Sequence, residues 1–576
     1  MIDHLYTGGG NDRHFSESIA AATLGTTLVT GDPAPAVRHL DTMQYIFNQW
    51  DDHFDWRRNL YWIEPIADAT EYSIASIDAS GAGFTDRPSR DETENGFTKG
   101  YAFRPSINSY QFANAQAIAA IARIAGQPAV AADYTRRSEA IRAAVLSELW
   151  NPAFEQFTDR YQRSTKYVNA GEFVRGRELV GYVPWLYELP PHVSSVDYFK
   201  SWRHVLSSTE LGGAFGLRTV EPSYPRYLVQ YRYDKLTGRP ECQWNGPSWP
   251  FQTSQTLTGL ANLLNDYSQA DITRSDYLRL LRQYTHQHFL ASGVPDIRED
   301  YNPDTGDTIV GLPRSHHYNH STYIDLILSG LIGIRPRADN ILEVNPLLPG
   351  QDASGGREIR YFALRDLLYH RHNIDVIYDR DGTRYGLGKG ISLFIDGRRA
   401  AGPAPLGRIK VDLGKATKRG RAVDPRPIDL AVNAGVPGFP MASASTSISP
   451  ASVGEGIDGR MWFFPEIANG WSPAADDPAS WYAVDFGLQQ KIASLRLYFL
   501  GKDGQFAAPA SYTVQIKVGD RWQDIRAQRH DPQKPIASGV NLVTFLPVHC
   551  RELRVLFAGP PAPASFRLIE LEAYGP

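Results

Sequence analysis

Two acidic stretches in this chain carry residues able to move protons. The first is Arg298-Glu299-Asp300-Tyr301-Asn302-Pro303-Asp304-Thr305-Gly306. Asn-Pro followed by Asp-Thr-Gly fixes a loop there, because Pro locks φ and Gly permits positive φ. The second is Asp68-Ala69-Thr70-Glu71, two carboxylates three positions apart in an aromatic run from Leu60 to Ile74. A carboxylate on a loop held between helices can point into a pocket, and apolar surroundings keep its proton on toward neutral pH. Taken alone, each stretch also reads as a solvated turn, and Asp68 as the N-cap of a short helix at Ala69 to Ser73. Around Glu299, Asp296 and Asp300 are alternative carboxylates, and Arg298 or Arg314 a surface ion-pair partner.

Other chemistries fit less well. Cys242 and Cys550 lie far apart in the chain, which disfavours a disulfide and excludes a cysteine-based metal site. His316, His317 and His320 cluster, but no helix-spaced His pair with a Glu accompanies them, so polar contacts to substrate or rim are expected instead of metal. The chain has no Gly-x-Ser-x-Gly elbow and no phosphate-cradling Gly-rich loop before a helix. No cofactor is expected. A net charge of -4 over 576 residues supports neither nucleic acid nor an anionic membrane as partner. No apolar run is long enough for a membrane helix, and the first residues lack the pattern of a signal peptide. The sequence as written is therefore expected in the cytoplasm, or secreted if an upstream piece is missing before Gly8-Gly9-Gly10. Aromatics make up 12% of the chain, and flat rings suit pyranose faces as well as large cores.

Helical periodicity places these stretches. Helices are expected at 13–29, 35–50, 106–125, 130–150, 172–187, 196–206, 248–264, 275–289 and 319–333. Sequential helix pairs with alternating short and long loops suggest a toroid of α-hairpins, whose long loops gather into a pocket at one end. Nine or ten helices fall short of the twelve in a six-hairpin ring, so either weaker helices escape the periodicity or the first is absent from this chain. From Leu342 the period becomes two, with strands at Ile374–Tyr378 and Ile391–Ile395 and turns at Asp379–Gly382 and Asp396-Gly397. Residues 414–428 are basic and Pro-containing, a linker. Beyond it, strands at Trp481–Phe486, Ser494–Phe499, Tyr512–Ile516 and Leu553–Phe557 suggest a sandwich.

Three helical-region motifs, Tyr101-Ala102-Phe103-Arg104-Pro105-Ser106-Ile107-Asn108, Cys242-Gln243-Trp244-Asn245-Gly246-Pro247-Ser248-Trp249-Pro250 and Tyr318-Asn319-His320-Ser321-Thr322, together resemble a known family. It is that of the mannosylglycerate-hydrolase-like (α/α)6-barrel glycoside hydrolases, related to family 63 glucosidases and family 37 trehalases. The tail, through Asp458-Gly459, Trp471, Trp481 to Gly487 and Ile569-Glu570-Leu571, resembles a discoidin (coagulation factor 5/8 type C)-like domain, a common carbohydrate-binding module. The resemblance implies an (α/α)6 toroid over 1–338, a β-sandwich over 339–413, the linker and a discoidin-like sandwich over 429–576.

It further implies an inverting, exo-acting hydrolase of an α-glycosidic bond in an oligosaccharide or glycoside. Such relatives pair an acid Asp after an early helix with a base Glu near the barrel's end. Asp68 matches the acid, with Glu71 the alternative, and Glu299 matches the base in Glu-x-Tyr-x-Pro-x-Thr-Gly. Related acid motifs read Asp-Asn-Ser or Asp-Gly-Met-Glu, from which Asp68-Ala69-Thr70-Glu71 departs. Arg104, Asn108, Gln243, Trp244, Asn245, Trp249 and His320 are the expected substrate contacts. An α-L-rhamnosidase-type hydrolase and a non-catalytic glycan-binding protein are the rival readings.

Overall fold

The computed structural model describes residues 15–83, 99–234, 236–289, 295–312, 315, 316, 318, 320, 322–350, 359–415, 428–433, 438–461, 469–475, 477, 479–501, 505–559 and 565–576. Gly8 to Gly10, most of the loop before Lys99, Arg314, His317, Asn319, Ser321 and residues 416–427 of the expected linker lie outside them. The chain divides into two compact units, 1–421 and 422–576.

The first unit is built on helices α1 (Ile19–Thr30), α2 (Leu40–Asn48), α3 (Ile74–Ser80), α4 (Pro105–Ile124), α5 (Pro128–Glu148), α6 (Pro250–Asp266) and α7 (Arg274–Gln287). Pro opens α4, α5 and α6, where its missing N–H costs nothing. Thr273 and Asp276 form a reciprocal capping box on α7. Helix α4 is buried along almost its whole length, from Pro105 to Ala122, so it runs through the interior. Helix α5 buries Ala131, Tyr134, Ser138, Ile141 and Val145 against it, a stripe at helical spacing.

The helices expected at 172–187 and 196–206 shrink to short turns at Leu179–Tyr182, Val183–Leu186 and Tyr198–Arg203. Gly171 at φ +88, Gly176, Gly181 and Pro184 break the first of these, and Gly181 packs so closely that a Cβ would collide with the Phe157 carbonyl. The last expected helix starts at Tyr323 and turns π-helical over Leu326–Leu331.

A small sheet, in the order β1 (Phe54–Asp55), β2 (Leu60–Ile63), β3 (Ala102–Phe103), β4 (Arg160–Tyr161), does the positioning. Asp68 follows β2, Arg104 follows β3 and Asp159 precedes β4, so adjacent strands deliver all three to one place. Among the described residues, a two-stranded ladder pairs Trp150–Asn151 with Gln156–Phe157, and two larger sheets follow the helices. One contains β5 (Ile334–Arg335), β6 (Ile341–Val344) and β11 (Ile409–Asp412) in the order β11-β6-β5. The other contains β7 (Tyr361–Tyr369), β8 (His372–Asp379), β9 (Gly390–Ile395) and β10 (Arg398–Ala404) in the order β10-β9-β8-β7. Asp396 (φ 50) and Gly397 (φ 76) make the tight β9–β10 turn that the sequence signals. Leu342, Val344, Ile374 and Leu393 join the hydrophobic core of the helices, so helical and β parts share one interior.

The second unit pairs β12 (Met441–Ala444), β13 (Trp481–Phe499), β14 (Ser511–Val518), β15 (Arg521–Asp524) and β17 (Val540–Ala558) in the order β12-β13-β17-β14-β15. Strand β16 (Arg529–Asp531) adds to β17, and β18 (Leu568–Tyr574) to β13. The two longest strands break register between Asp485 and Gln490 and between Ile492 and Ser494, so their halves take different neighbours. A separate core of Trp471, Tyr482, Val484, Leu497, Phe499 and Val555 fills it.

Candidate active site

The loop leaving β2 reverses twice. Ala69 sits at φ 54 and Tyr72 at φ 62, left-handed values that side chains with a Cβ adopt at a cost of about 1–3 kcal/mol each. The reversals send the loop's two carboxylates into different surroundings. Asp68 goes inward: its side chain is only 2% exposed. Ser16 donates to one oxygen at 2.6 Å, Ser106 to the other at 2.6 Å, and Arg104 Nε stands 3.2 Å away. Burial pushes this carboxyl up, against the pull of Arg104 and the two hydroxyls. Arg104, equally buried, also faces Asp159 at 3.0 Å and donates to Ser73 at 3.1 Å. Asp159 and Glu178 are pushed up by the same enclosure, and Arg104 is the cation that offsets them. Asn108 donates to the carbonyls of Tyr61 and Arg104 and accepts from the Tyr61 N–H, which fills its amide.

Glu71 goes the other way. The Cys242 thiol donates to its Oε1 at 3.2 Å, and Arg232 Nη1 stands 4.0 Å from the same atom. Its backbone carbonyl accepts from the Trp244 N–H at 3.1 Å. Four residues on, Ser248 exchanges two backbone hydrogen bonds with Tyr301, at 2.8 and 3.0 Å. The segment Cys242 to Trp249 therefore ties the Glu71 loop at one end and the Glu299 loop at the other. The Cys242 thiol registers both: burial first, then the charges of Glu71 and Glu299, hold it far above its ordinary titration range.

Within that segment the side chains are mutually engaged. Gln243 donates to the Val229 carbonyl and to Asn245 and accepts from the Tyr231 N–H. Asn245 donates to the carbonyls of Arg226 and Val229. Trp244 and Trp249 stack with ring centres 4.0 Å apart and planes 10° from parallel, and Trp249 donates its indole N–H to the Gln243 carbonyl. Both rings are 5% exposed or less, so they form a wall, not an open platform.

Glu299 is buried. Its N–H donates to the Ser315 carbonyl at 3.1 Å and its Oε2 accepts from the Ser315 hydroxyl at 2.5 Å. Its loop is clamped by Asp304, which pairs with Arg218 at 2.7 Å and accepts from the Tyr227 hydroxyl at 2.7 Å. The neighbouring carboxylates are committed elsewhere. Asp296 pairs with Arg298 at 2.5 Å and faces His316 at 3.2 Å. Asp300 accepts from the Val310 N–H at 3.0 Å, and burial pushes it up to about 8. His320 rests its Nε2 3.2 Å from the Arg298 carbonyl, and burial lowers it to about 4, a neutral ring at neutral pH.

The expected residues thus fall into three groups. Asp68, Arg104 and Asn108 share one buried network. Gln243, Trp244, Asn245 and Trp249 build the segment between the two loops, and Glu71 and Glu299 flank it. His320 supports the Glu299 loop. Cys242, Arg232 and Ser315 were not singled out as functional residues by the sequence, although Cys242 opens the Gln-Trp-Asn-Gly-Pro motif. Asp78 was missed as well: Arg175 holds both its oxygens at 2.6 and 2.7 Å, and the Tyr224 hydroxyl donates at 2.9 Å.

Comparison with known proteins points to a glycoside hydrolase domain. A family model for the mannosylglycerate hydrolase MGH1-like glycoside hydrolase domain matches residues 5–321. A solved structure described as a sialidase is 29% identical, with a TM-score of 0.60, over 72% of this chain; the chain spans 35% of that protein. The beta-galactosidase BgaA of Streptococcus pneumoniae is 18% identical over 26% of this chain and 100% of that one, with a TM-score of 0.25. Chitosan-binding module 2 of a Paenibacillus sp. IK-5 chitosanase/glucanase is 18% identical over 26% and 100%, at 0.19. Those two scores are too low to bear on the fold. The matched span of the family model covers more than half of the sequence and takes in Glu71, the Cys242 to Trp249 segment and Glu299. The chain belongs to the mannosylglycerate hydrolase MGH1-like glycoside hydrolase domain family.

Proposed function

We propose that the protein hydrolyses a terminal α-glycosidic bond of an oligosaccharide or glycoside with inversion, using Glu299 as general base and Glu71 as general acid. The observation that carries this reading is the segment from Cys242 to Trp249, hydrogen-bonded to the Glu71 loop and the Glu299 loop at points four residues apart. Four residues span at most about 14 Å, so glutamates on the two loops are within reach of the ~6.5–9.5 Å separation of inverting enzymes. A water between them loses a proton to Glu299 as its oxygen attacks the anomeric carbon. The glycosidic oxygen leaves on the opposite face and takes the proton of Glu71. The stacked Trp244–Trp249 pair walls the site and Gln243 and Asn245 hold its floor through the 226–231 backbone.

Asp68, expected as the acid, supports this reading differently. Its two oxygens are occupied by Ser16, Ser106 and Arg104, so it anchors the loop that presents Glu71. We assign the helical part to an (α/α)6 toroid and the second unit to a discoidin-like module that holds glycan. The test is NMR of the first anomer released from a panel of α-glycosides, α-L-rhamnosides included. An inverted, β-configured first product supports the reading, and a retained anomer overturns the mechanism. Calorimetric binding of the same sugars without any turnover would establish a non-catalytic glycan binder instead.

A further inference from the structure

We propose that the groove between the β1–β2 turn and helix α5 is a second, non-catalytic binding site, for an oligosaccharide that carries an acidic group. The proposal does not depend on which carboxyls perform the hydrolysis. The groove has a volume of about 710 Å³, inside the ~300–1,000 Å³ of small-molecule sites. Its floor is one face of α5. Ala140, Ala143, Ala144 and Ser147 recur there at helical spacing and carry almost no side chain. They leave depth and a shallow apolar surface, which suits the flat apolar face of a pyranose ring. One wall is the turn after β1, held from within. The Asp55 carboxylate accepts from the N–H groups of Arg57 and Arg58, and Asn59 closes the turn at φ 55. Gln162 completes the lining, and its N–H donates to the Tyr101 carbonyl at 2.8 Å.

Two groups of this lining are unspent. Oε1 of Gln162 is enclosed yet accepts no hydrogen bond, a costly state for an amide oxygen unless a ligand or water fills it. The Arg57 side chain is exposed and pairs with no carboxylate among the described residues. The carboxylates, by contrast, are committed. Glu148 is held by Arg58 at 2.7 Å and by Arg160, and Asp55 serves its own turn. Arg57, Arg58 and Arg160 against Asp55 and Glu148 leave an excess of one positive charge, on a chain whose net charge is -4. A ligand that brings an anionic group to Arg57 and hydroxyls to Asn59, Ser147 and Gln162 matches this lining in charge and in hydrogen bonding.

The groove lies across the sheet from the Asp68 network. Phe103 and Arg160 are register partners, Arg58 stands 5.8 Å over the Phe103 ring, and Arg160 pairs with Glu148, so this face looks onto the groove. Arg104 and Asp159, one residue away along the same two strands, turn to the other face, where Arg104 meets both Asp159 and Asp68.

The test is calorimetric titration of the full chain, at low and at physiological salt, with tetragalacturonate, a heparin-derived tetrasaccharide and neutral maltotetraose. It compares wild type, Arg57→Glu and Ala143→Trp, the last of which fills the floor. Both positions are exposed, and thermal unfolding checks that each variant folds; should one not fold, the other decides. Expected is an acidic tetrasaccharide bound at least about tenfold more tightly than the neutral one, with binding weakened by salt and weakened at least about tenfold by either variant. Turnover of a small accepted glycoside should stay within about twofold of wild type in both variants. Tighter binding of the uronate than of the sulfated chain assigns a carboxylate to Arg57, the reverse order a sulfate, and either supports the site. Equal binding of the neutral chain, no binding of an acidic chain, or binding that persists in both variants overturns the proposal. None of these outcomes bears on the proposed hydrolysis, which the anomer measurement reads separately.

Discussion

At the scale of single residues, the site is a division of labour among carboxyls that differ mainly in what touches them. Ser315 donates to Oε2 of Glu299, whereas Ser16 and Ser106 donate to the two oxygens of Asp68. Glu299→Gln should lower kcat by about 10²–10⁴-fold with KM little changed, because base catalysis is lost while binding surfaces remain. Steady-state kinetics on an accepted glycoside checks this. Asp68→Asn should reduce stability as well as rate, since Arg104 loses a charge partner in a site closed to water; thermal unfolding separates the two effects. Asp300 gives a pH signature. The unfolded chain releases its proton near pH 4, whereas the folded chain keeps it to about 8, so burying Asp300 weakens the fold progressively as pH rises through that window. Asp300→Asn mimics the protonated form. Its stability advantage over wild type should be absent below about pH 4, grow to a few kcal/mol by about pH 8 and then level off. Chemical denaturation across pH 4–9 reads it directly, and a constant difference would refute it.

At the scale of elements, strong periodicity was readable and irregular backbone was not. Helices α4 and α5 appear within two residues of their expected bounds because Ile107, Ile118 and Ile121 on one, and Tyr134, Ile141 and Val145 on the other, repeat at helical spacing. The stretch 172–187 has a similar apolar count, but Gly171, Gly176, Gly181 and Pro184 make a helix unsustainable. The Glu299 loop was legible because Pro303 and Gly306 fix a turn chemically. The Asp68–Glu71 loop was legible as a loop, but which way each carboxylate turns was not. That choice depends on positive φ at Ala69 and Tyr72, residues with no intrinsic preference for it. Glycine positions give the test at this scale. Gly306 lies at φ +84 over the exposed Phe215 ring, 2.9 Å from where a Cβ would sit, whereas Gly333 at φ +82 faces the Asn345 backbone. Gly306→Ala should cost about 1–2 kcal/mol, since the ring can shift, and Gly333→Ala clearly more, since backbone cannot. Urea denaturation of the pair ranks them, and the reverse order would contradict the packing described.

At the scale of the whole molecule, the cores define what folds together. The helices and the sheets of residues 341–412 share a continuous interior, tied also by Arg335 and Arg408 to Asp266 at 2.7 and 3.5 Å. The strands beyond residue 440 have a core of their own. A chain ending near residue 420 should therefore unfold cooperatively and keep its turnover of small glycosides, whereas one ending at residue 338 should aggregate or stay partly unfolded. Calorimetry and size-exclusion chromatography of the two truncations check this. The account of the site stands most directly on one comparison: kcat/KM of Glu71→Gln and Asp68→Asn on two glycosides of the accepted sugar, one with a poor leaving group and one with 2,4-dinitrophenolate. An activated leaving group needs no proton, so Glu71→Gln should lose at least about a hundredfold on the poor substrate and little on the activated one, with Asp68→Asn losing equally on both. The opposite pattern, leaving-group dependence in Asp68→Asn and none in Glu71→Gln, would contradict the assignment of the acid.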